Sequence, residues 1–253
     1  MDGVTIEQWY KSLPIITRIA FTVAFSTTVL ASLHIVSPSI LILNWPMVTN
    51  KLQIWRLLTS VTFFGGFGFG FLFQLYFFQQ FSTKLENNEV FRQPGDYLFF
   101  ILVQTLLLDV LSLVLYYPTG APMLGQALVF SITYYWSRRE PYADLSMYGF
   151  KVKGYQLPFA LLLFHILLGG SIWLELLGLA SAHLWYFCKE IVPAEYGIVL
   201  IKTPSFLNSF MARQLGRTAT APAGVRGGAG AGAPPPPPAA PRFGGAGQRL
   251  GGN

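Results

Sequence analysis

From Tyr97 to Tyr117 the chain carries a single charged side chain, Asp109, inside an otherwise apolar run. At 1.5 Å per helical residue such a run spans a hydrocarbon layer of about 30 Å, which takes about 20 residues. A second run, Ile15 to Val36, reaches the same length with only Arg18 near its start. Four shorter apolar runs follow the same punctuation: Gly66 to Phe81, Met123 to Trp136, Leu157 to Trp173 and Leu174 to Val192. Runs of 10 to 14 residues are ordinary core helices in water-soluble proteins. Here only 11% of residues are charged, against about 25% in a typical soluble domain. Six buried helices would leave too few ionisable groups to cover a wetted surface. The expected fold is therefore an all-α membrane protein with six spanning helices, four of them short. The run ending at Trp136 would reach only about 21 Å, and short spans are accommodated by local thinning of the bilayer.

Charge placement sets the expected orientation. Six spans put both termini and the loops 82–96 and 137–156 on one side, with fifteen of the seventeen Lys and Arg residues; Lys51 and Arg56 remain for the other. Both termini are expected to be cytosolic. Asp2 and Glu7 precede a first run too long for a cleaved signal, which reads as a signal anchor. No internal repeat is visible. The net charge of +6 concentrates in the last residues. Residues 1–211 hold twelve basic and eleven acidic groups, and the remaining 42 residues hold five arginines and no acid. The basic balance therefore gives no reason to expect nucleic-acid binding. Of those 42 residues, 28 are Gly, Pro or Ala, so the chain divides into a membrane domain at 1–205 and a disordered cytosolic tail at 206–253.

Catalytic chemistry finds little support. One cysteine, Cys188, excludes an internal disulfide and a cysteine zinc cluster. No metal-binding histidine pair occurs, and the glycine-rich Gly65–Gly70 lacks the Lys-Ser/Thr of a phosphate loop, so no cofactor or metal is expected. His34, His165, Asp109 and Glu175 lie in or beside spans; intramembrane ionisable groups are functional hypotheses by default. Asp109 and Glu175 have no second carboxylate at helical spacing, which favours packing or hydrogen bonds inside the bundle. His183 follows Gly178-xxx-Ala182, a small-xxx-small pattern that lets helices approach closely. The placement resembles rhomboid intramembrane serine proteases, which pair a sixth-helix His with the Ser of a Gly-x-Ser-Gly motif opening the fourth helix. The only serine of the fourth run is Ser131, between Phe130 and Ile132, poorly placed to present a nucleophile or an oxyanion hole.

The segment between the first two runs is nearly as apolar as they are and is interrupted by Pro38 and Pro46. It is expected to lie in the membrane interface, with Trp55 at headgroup level and Arg56 able to cap loop carbonyls with its five donors.

Several motifs together resemble the derlins, catalytically inactive members of the rhomboid superfamily. They are Gln53-Ile54-Trp55-Arg56, Ser82-Thr83-Lys84-Leu85-Glu86, Leu157-Pro158, Gly169-Gly170-Ser171, and Gly178-xxx-Ala182-His183-Leu184-Trp185-Tyr186-Phe187. They fall in order across about 1–205; Ala182 stands where the family usually has glycine. The resemblance implies a rhomboid-like bundle that is not an enzyme. It also implies an endoplasmic-reticulum factor that moves misfolded clients to the cytosol beside membrane ubiquitin ligases. Trp55, Arg56, Gly178 and Ala182 carry over as its structural motifs. The tail's end, 242–252, resembles the SHP box that binds a hexameric AAA ATPase, valosin-containing protein. There Phe243 and Leu250 would fill two apolar pockets, Gly244, Gly245 and Gly247 would let the backbone approach a strand edge, and Arg249 would meet an acidic partner. A homo- or hetero-oligomeric assembly is compatible with this reading. An active protease using Ser131 and His183, or a small-molecule transporter, is the alternative.

Overall fold

The computed structural model describes residues 5–147, 150–167 and 171–215. Met1–Thr218 forms one compact unit; the tail from 219 onward, with the 242–252 motif, lies outside the described residues, as do Gly169 and Gly170. A short α1 (Ile6–Ser12) leads into α2 (Ile15–Ser32). The apolar first loop folds as three short helices, α3 (Pro38–Leu41), α4 (Trp45–Lys51) and α5 (Trp55–Thr62). Then come α6 (Phe69–Glu86), α7 (Pro94–Leu115) and α8 (Gly125–Arg139). A hairpin of β1 (Asp144–Met147) and β2 (Phe150–Lys153) precedes α9 (Leu157–Leu167) and α10 (Trp173–Tyr186). The described chain ends with α11 (Val192–Tyr196) and α12 (Ser205–Leu215).

Local chemistry explains where these helices start and stop. Pro94 occupies the first turn of α7, where its missing N–H is no loss. The Asp96 carboxylate caps the same turn by accepting from the Gln93 backbone N–H at 3.1 Å. At α2 the cap comes from far along the chain. The Glu86 carboxylate accepts from the N–H groups of Ile16 (3.0 Å) and Thr17 (2.7 Å) and from the Thr17 hydroxyl (2.8 Å). A negative group there suits the helix dipole, and it ties the end of α6 to the start of α2. Ser82 extends the network to Thr17 and to the Tyr97 hydroxyl of α7, 2.7 Å each. After α10 the helix widens into one π-helical turn, Phe187–Ile191. It stands just before Pro193, whose ring would strike the carbonyl of residue 189 in a regular α-helix. The wider turn brings Glu190 to α8, where it accepts from Tyr135 (2.9 Å) and Arg139 (3.1 Å).

α8 is the central element: every residue from Ala127 to Ser137 is buried. α10 packs along it, α6 and α9 lie on other sides, and α5 closes one end. Gly178 makes the α8–α10 approach possible, since a Cβ there would lie 2.3 Å from the Ala127 carbonyl oxygen. Around an apolar core, several polar side chains are buried while large apolar ones face outward. Thr17, Thr28, Ser60, Ser82, Gln104, Asp109, Ser131, Glu175 and Ser181 are buried. Leu102, Leu106 and Val110 of α7, Ile19 and Val23 of α2, and Phe159 and Leu163 of α9 face outward. An outer face of leucine and valine at four-residue spacing has nothing to gain in water; in hydrocarbon it is at home. Two described helices, α2 and α7, are long and apolar enough to cross a membrane. α8 and α10, with 15 and 14 residues, reach only about 22 and 21 Å.

One expectation changes. The disordered tail does not begin at 206, because α12 continues to Leu215 and packs against α7. Leu207 and Met211 bury on one side of α12, and Asn208 donates to Asp96 at 3.3 Å. Those apolar positions, four apart, outweigh the Gly/Ala-rich composition that begins within this helix. Within the loop 137–156, Asp144 pairs with Lys153 and Leu145 with Val152 across the β1–β2 hairpin. Lys153 Nζ bonds Asp144 at 2.8 Å, and that hydrogen bond raises the lysine above its ordinary pKa.

Candidate functional site

The first loop is held from within by Arg56, which is buried although it lies in an apolar segment. One guanidinium nitrogen, Nη1, donates to the carbonyls of Ser39 (2.6 Å) and Ile42 (2.7 Å), and Nε donates to Gln53 Oε1 (2.7 Å). Those carbonyls belong to α3 and the residue closing it, which has too few turns to satisfy its own backbone. Thr59 adds a bond to the Leu41 carbonyl (2.8 Å). The loop is also stitched to the α7–α8 connection, through Leu43 N to Pro122 O (2.8 Å) and Trp45 N to Thr119 O (2.9 Å). Trp55 stands half-exposed beside this staple.

Gly178 and Ala182 are both buried on the α10 face against α8. His183, one residue on, is exposed and bonds the Tyr134 hydroxyl of α8 through Nδ1 at 2.8 Å. Ser131 is completely buried and donates to the Leu128 carbonyl of its own helix at 2.8 Å. The two residues a protease would need are thus each bonded elsewhere. His34 sits at the end of α2 in the left-handed region, φ 58°. Asp109 is buried, and its Oδ1 has no hydrogen-bond partner among the described residues.

The arrangement that sequence reasoning missed lies between α6 and α9. A cavity of about 170 Å³, backed by α8, is lined by Phe73, Gln74 and Phe77 of α6 and by Leu161, Phe164 and His165 of α9. Phe73 stacks on Phe164, centroids 5.8 Å apart and planes inclined by 25°, so a ring pair spans the two helices. Three polar side chains from three helix ends meet at this cavity: Gln126 in the first turn of α8, His165 in the last turn of α9 and Glu175 in the first turn of α10. Gln126 Nε2 and His165 Nδ1 both bond Glu175 Oε1. Gln126 Nε2 and His165 Nδ1 also lie 2.9 Å apart. The position of Glu175 at a helix N-terminus favours the negative charge. Its other oxygen, Oε2, is buried with no partner among the described residues, as is Gln74 Oε1. No group of metal-ligating side chains occurs among the described residues.

Comparison with known proteins is decisive about kinship. Residues 13–205 match the Der1-like family along nearly all of the helical unit. The chain belongs to the Der1-like family. It is 36% identical over 207 residues to Derlin-1 of Arabidopsis thaliana, covering 81% of this chain and 77% of that one. It is 36% identical over 215 residues to Derlin-2.2 of the same plant, covering 82% and 88%. Derlin-2.1 of Zea mays matches at 34% over 233 residues, 88% of this chain and 94% of the relative. Family membership and the two long apolar helices point together to a membrane protein.

The one hint of the polar cluster in this Der1-like sequence was a polar residue in each of three apolar runs. No spacing rule connects Gln126 with residues 39 and 49 positions away, so only the packed helices reveal that they meet.

Proposed function

We propose that this Der1-like protein is a non-catalytic factor of endoplasmic-reticulum-associated degradation, working in a rhomboid-like six-span bundle with both termini cytosolic. Misfolded clients enter sideways between α6 and α9, and the cytosolic tail recruits the AAA ATPase valosin-containing protein to pull them through, beside a membrane ubiquitin ligase. The observation that carries this reading is the α6–α9 cavity. It is largely apolar, yet it holds the unpartnered acceptors of Gln74 and Glu175. Such a lining suits a polypeptide that must leave lipid without losing all of its polar contacts. The short α8 and α10 behind the cavity support local thinning of the bilayer. The Ser131 hydroxyl, spent on its own helix, favours a pseudoenzyme over a protease.

The test separates the two halves of the proposal. Exchanging Phe243 and Leu250 for alanine should abolish pull-down of the ATPase and stabilise a misfolded client, with insertion of the helical unit unchanged. ATPase binding that survives the double substitution refutes recruitment through 242–252. Labelling of Ser131 by a serine-reactive probe would refute the non-catalytic assignment.

A further inference from the structure

The Glu175 cluster is costlier than packing requires. A polar side chain in hydrocarbon surroundings has to find partners, and Glu175 is buried to 4% exposure with one oxygen doubly served and the other unserved. If the cluster only filled space, the two donors would be expected to spread over both oxygens. Instead Gln126 and His165 converge on Oε1, holding the carboxylate in one orientation and leaving Oε2 as the spare acceptor. The cavity supplies a second spare acceptor, Gln74 Oε1, and among its lining residues there is no lysine or arginine. The spare groups of the lining are thus acceptors with no lysine or arginine beside them, and a ligand that brings a charged donor is complementary to them.

We propose that Glu175 is a specificity residue of the α6–α9 cleft, accepting from the ammonium or guanidinium of a lysine or arginine in a membrane-embedded client segment. The proposal rests on the sideways-entry reading above and names what that entry selects. A lone basic residue is a poor occupant of a spanning helix, most of all near its centre, so a client carrying one gains from a membrane protein that offers a carboxylate. The long aliphatic arm of Lys or Arg lets the charge reach inward while the client backbone stays in lipid. Gln126, His165 and Glu175 all sit where α8 and α10 begin and α9 ends. The clients favoured are those whose basic residue lies in the half of the span nearest that end. His165 and Gln126 are positioning residues, since they act on the client through Glu175.

The full-length protein is reconstituted in liposomes with a single-span model client, and a diazirine analogue of leucine is placed at position 161, which lines the cavity. Clients differ at one site: Lys, Met or Glu. The Lys client should give about tenfold more adduct than the Met client, the discrimination of one hydrogen bond to a charged group, and the Glu client less than the Met client. Glu175→Gln should bring the Lys client down to the Met yield. An unchanged Met yield in that variant shows that the cleft has kept its shape. Equal Lys and Met yields in the unaltered protein overturn the inference and leave sideways entry standing. So does a Lys preference that survives Glu175→Gln, or a Glu client that crosslinks as well as Met. Absence of adducts with every client, while the same clients are still degraded in cells, overturns both readings. The Lys, Met and Glu comparison on the unaltered protein needs no variant to fold.

Discussion

Replacing Gly178 by alanine tests the packing on which the whole bundle depends. Taken alone, the change should help, since alanine is favoured over glycine inside a helix by about 1 kcal/mol. At this position the new methyl would lie 2.3 Å from the Ala127 carbonyl oxygen, 3.1 Å from the same residue's carbonyl carbon and 3.1 Å from Phe130 Cβ. Ordinary contact begins at 3.4 Å, so α8 and α10 must part by about 1 Å. Two of the three crowding atoms are backbone of α8, which no rotamer change can move. A gap of that size forfeits a quarter to half of the dispersion well for atom pairs along the seam, and overpacking typically costs about 1 to 3 kcal/mol. We expect a net loss of about 2 kcal/mol and a fall in Tm of about 4 to 8 °C, followed by intrinsic fluorescence of purified protein in detergent. Gly70→Ala is the control: the same methyl in α6 meets nothing within 4 Å, so it should raise stability by roughly 0.5 to 1 kcal/mol. A Gly178→Ala protein as stable as the parent would refute the reasoning, as would an equal fall for Gly70→Ala.

Arg56→Ala should free the carbonyls of Ser39 and Ile42, cost about 3 kcal/mol of local stability and speed hydrogen exchange across 39–53. Arg56→Lys should fail to restore protection, because a single ammonium lacks the fork that serves two carbonyls and Gln53 together; full rescue by lysine would refute the staple. Glu86→Gln keeps the shape but loses one acceptor and the charge at the start of α2, and should cost about 1 to 2 kcal/mol, read as a lower Tm. Asp144→Asn removes an exposed partner of Lys153 and should leave Tm within measurement error; a clear fall would show that the hairpin contributes to the helical unit.

Some of this architecture is legible residue by residue. α7 announces itself, since Pro94 can only begin a helix there and the run behind it is long and apolar. Arg56 in an apolar loop signals unsatisfied carbonyls nearby, although nothing in the sequence names Ser39 and Ile42. Gly178-xxx-Ala182 marks a face of close approach without saying that α8 is the neighbour. α12 was hidden by the Gly- and Ala-rich residues after it: Leu207 and Met211 bury against α7 only once Pro94–Leu115 has folded.

Local and compositional facts were therefore settled by the sequence alone: the apolar character of the helices, the first-loop staple's donor and membership of the Der1-like family. Those properties depend on neighbours along the chain, or on the balance of charge over all of it. The carboxylate site belonged to the tertiary structure. Gln126, His165 and Glu175 lie on three helices, each ordinary in its own run, and only the packing of α9 and α10 around α8 brings them within hydrogen-bonding distance. In a medium that satisfies no polar group, such meetings decide where a buried charge can stand, and their partners are chosen by the fold rather than by spacing along the chain.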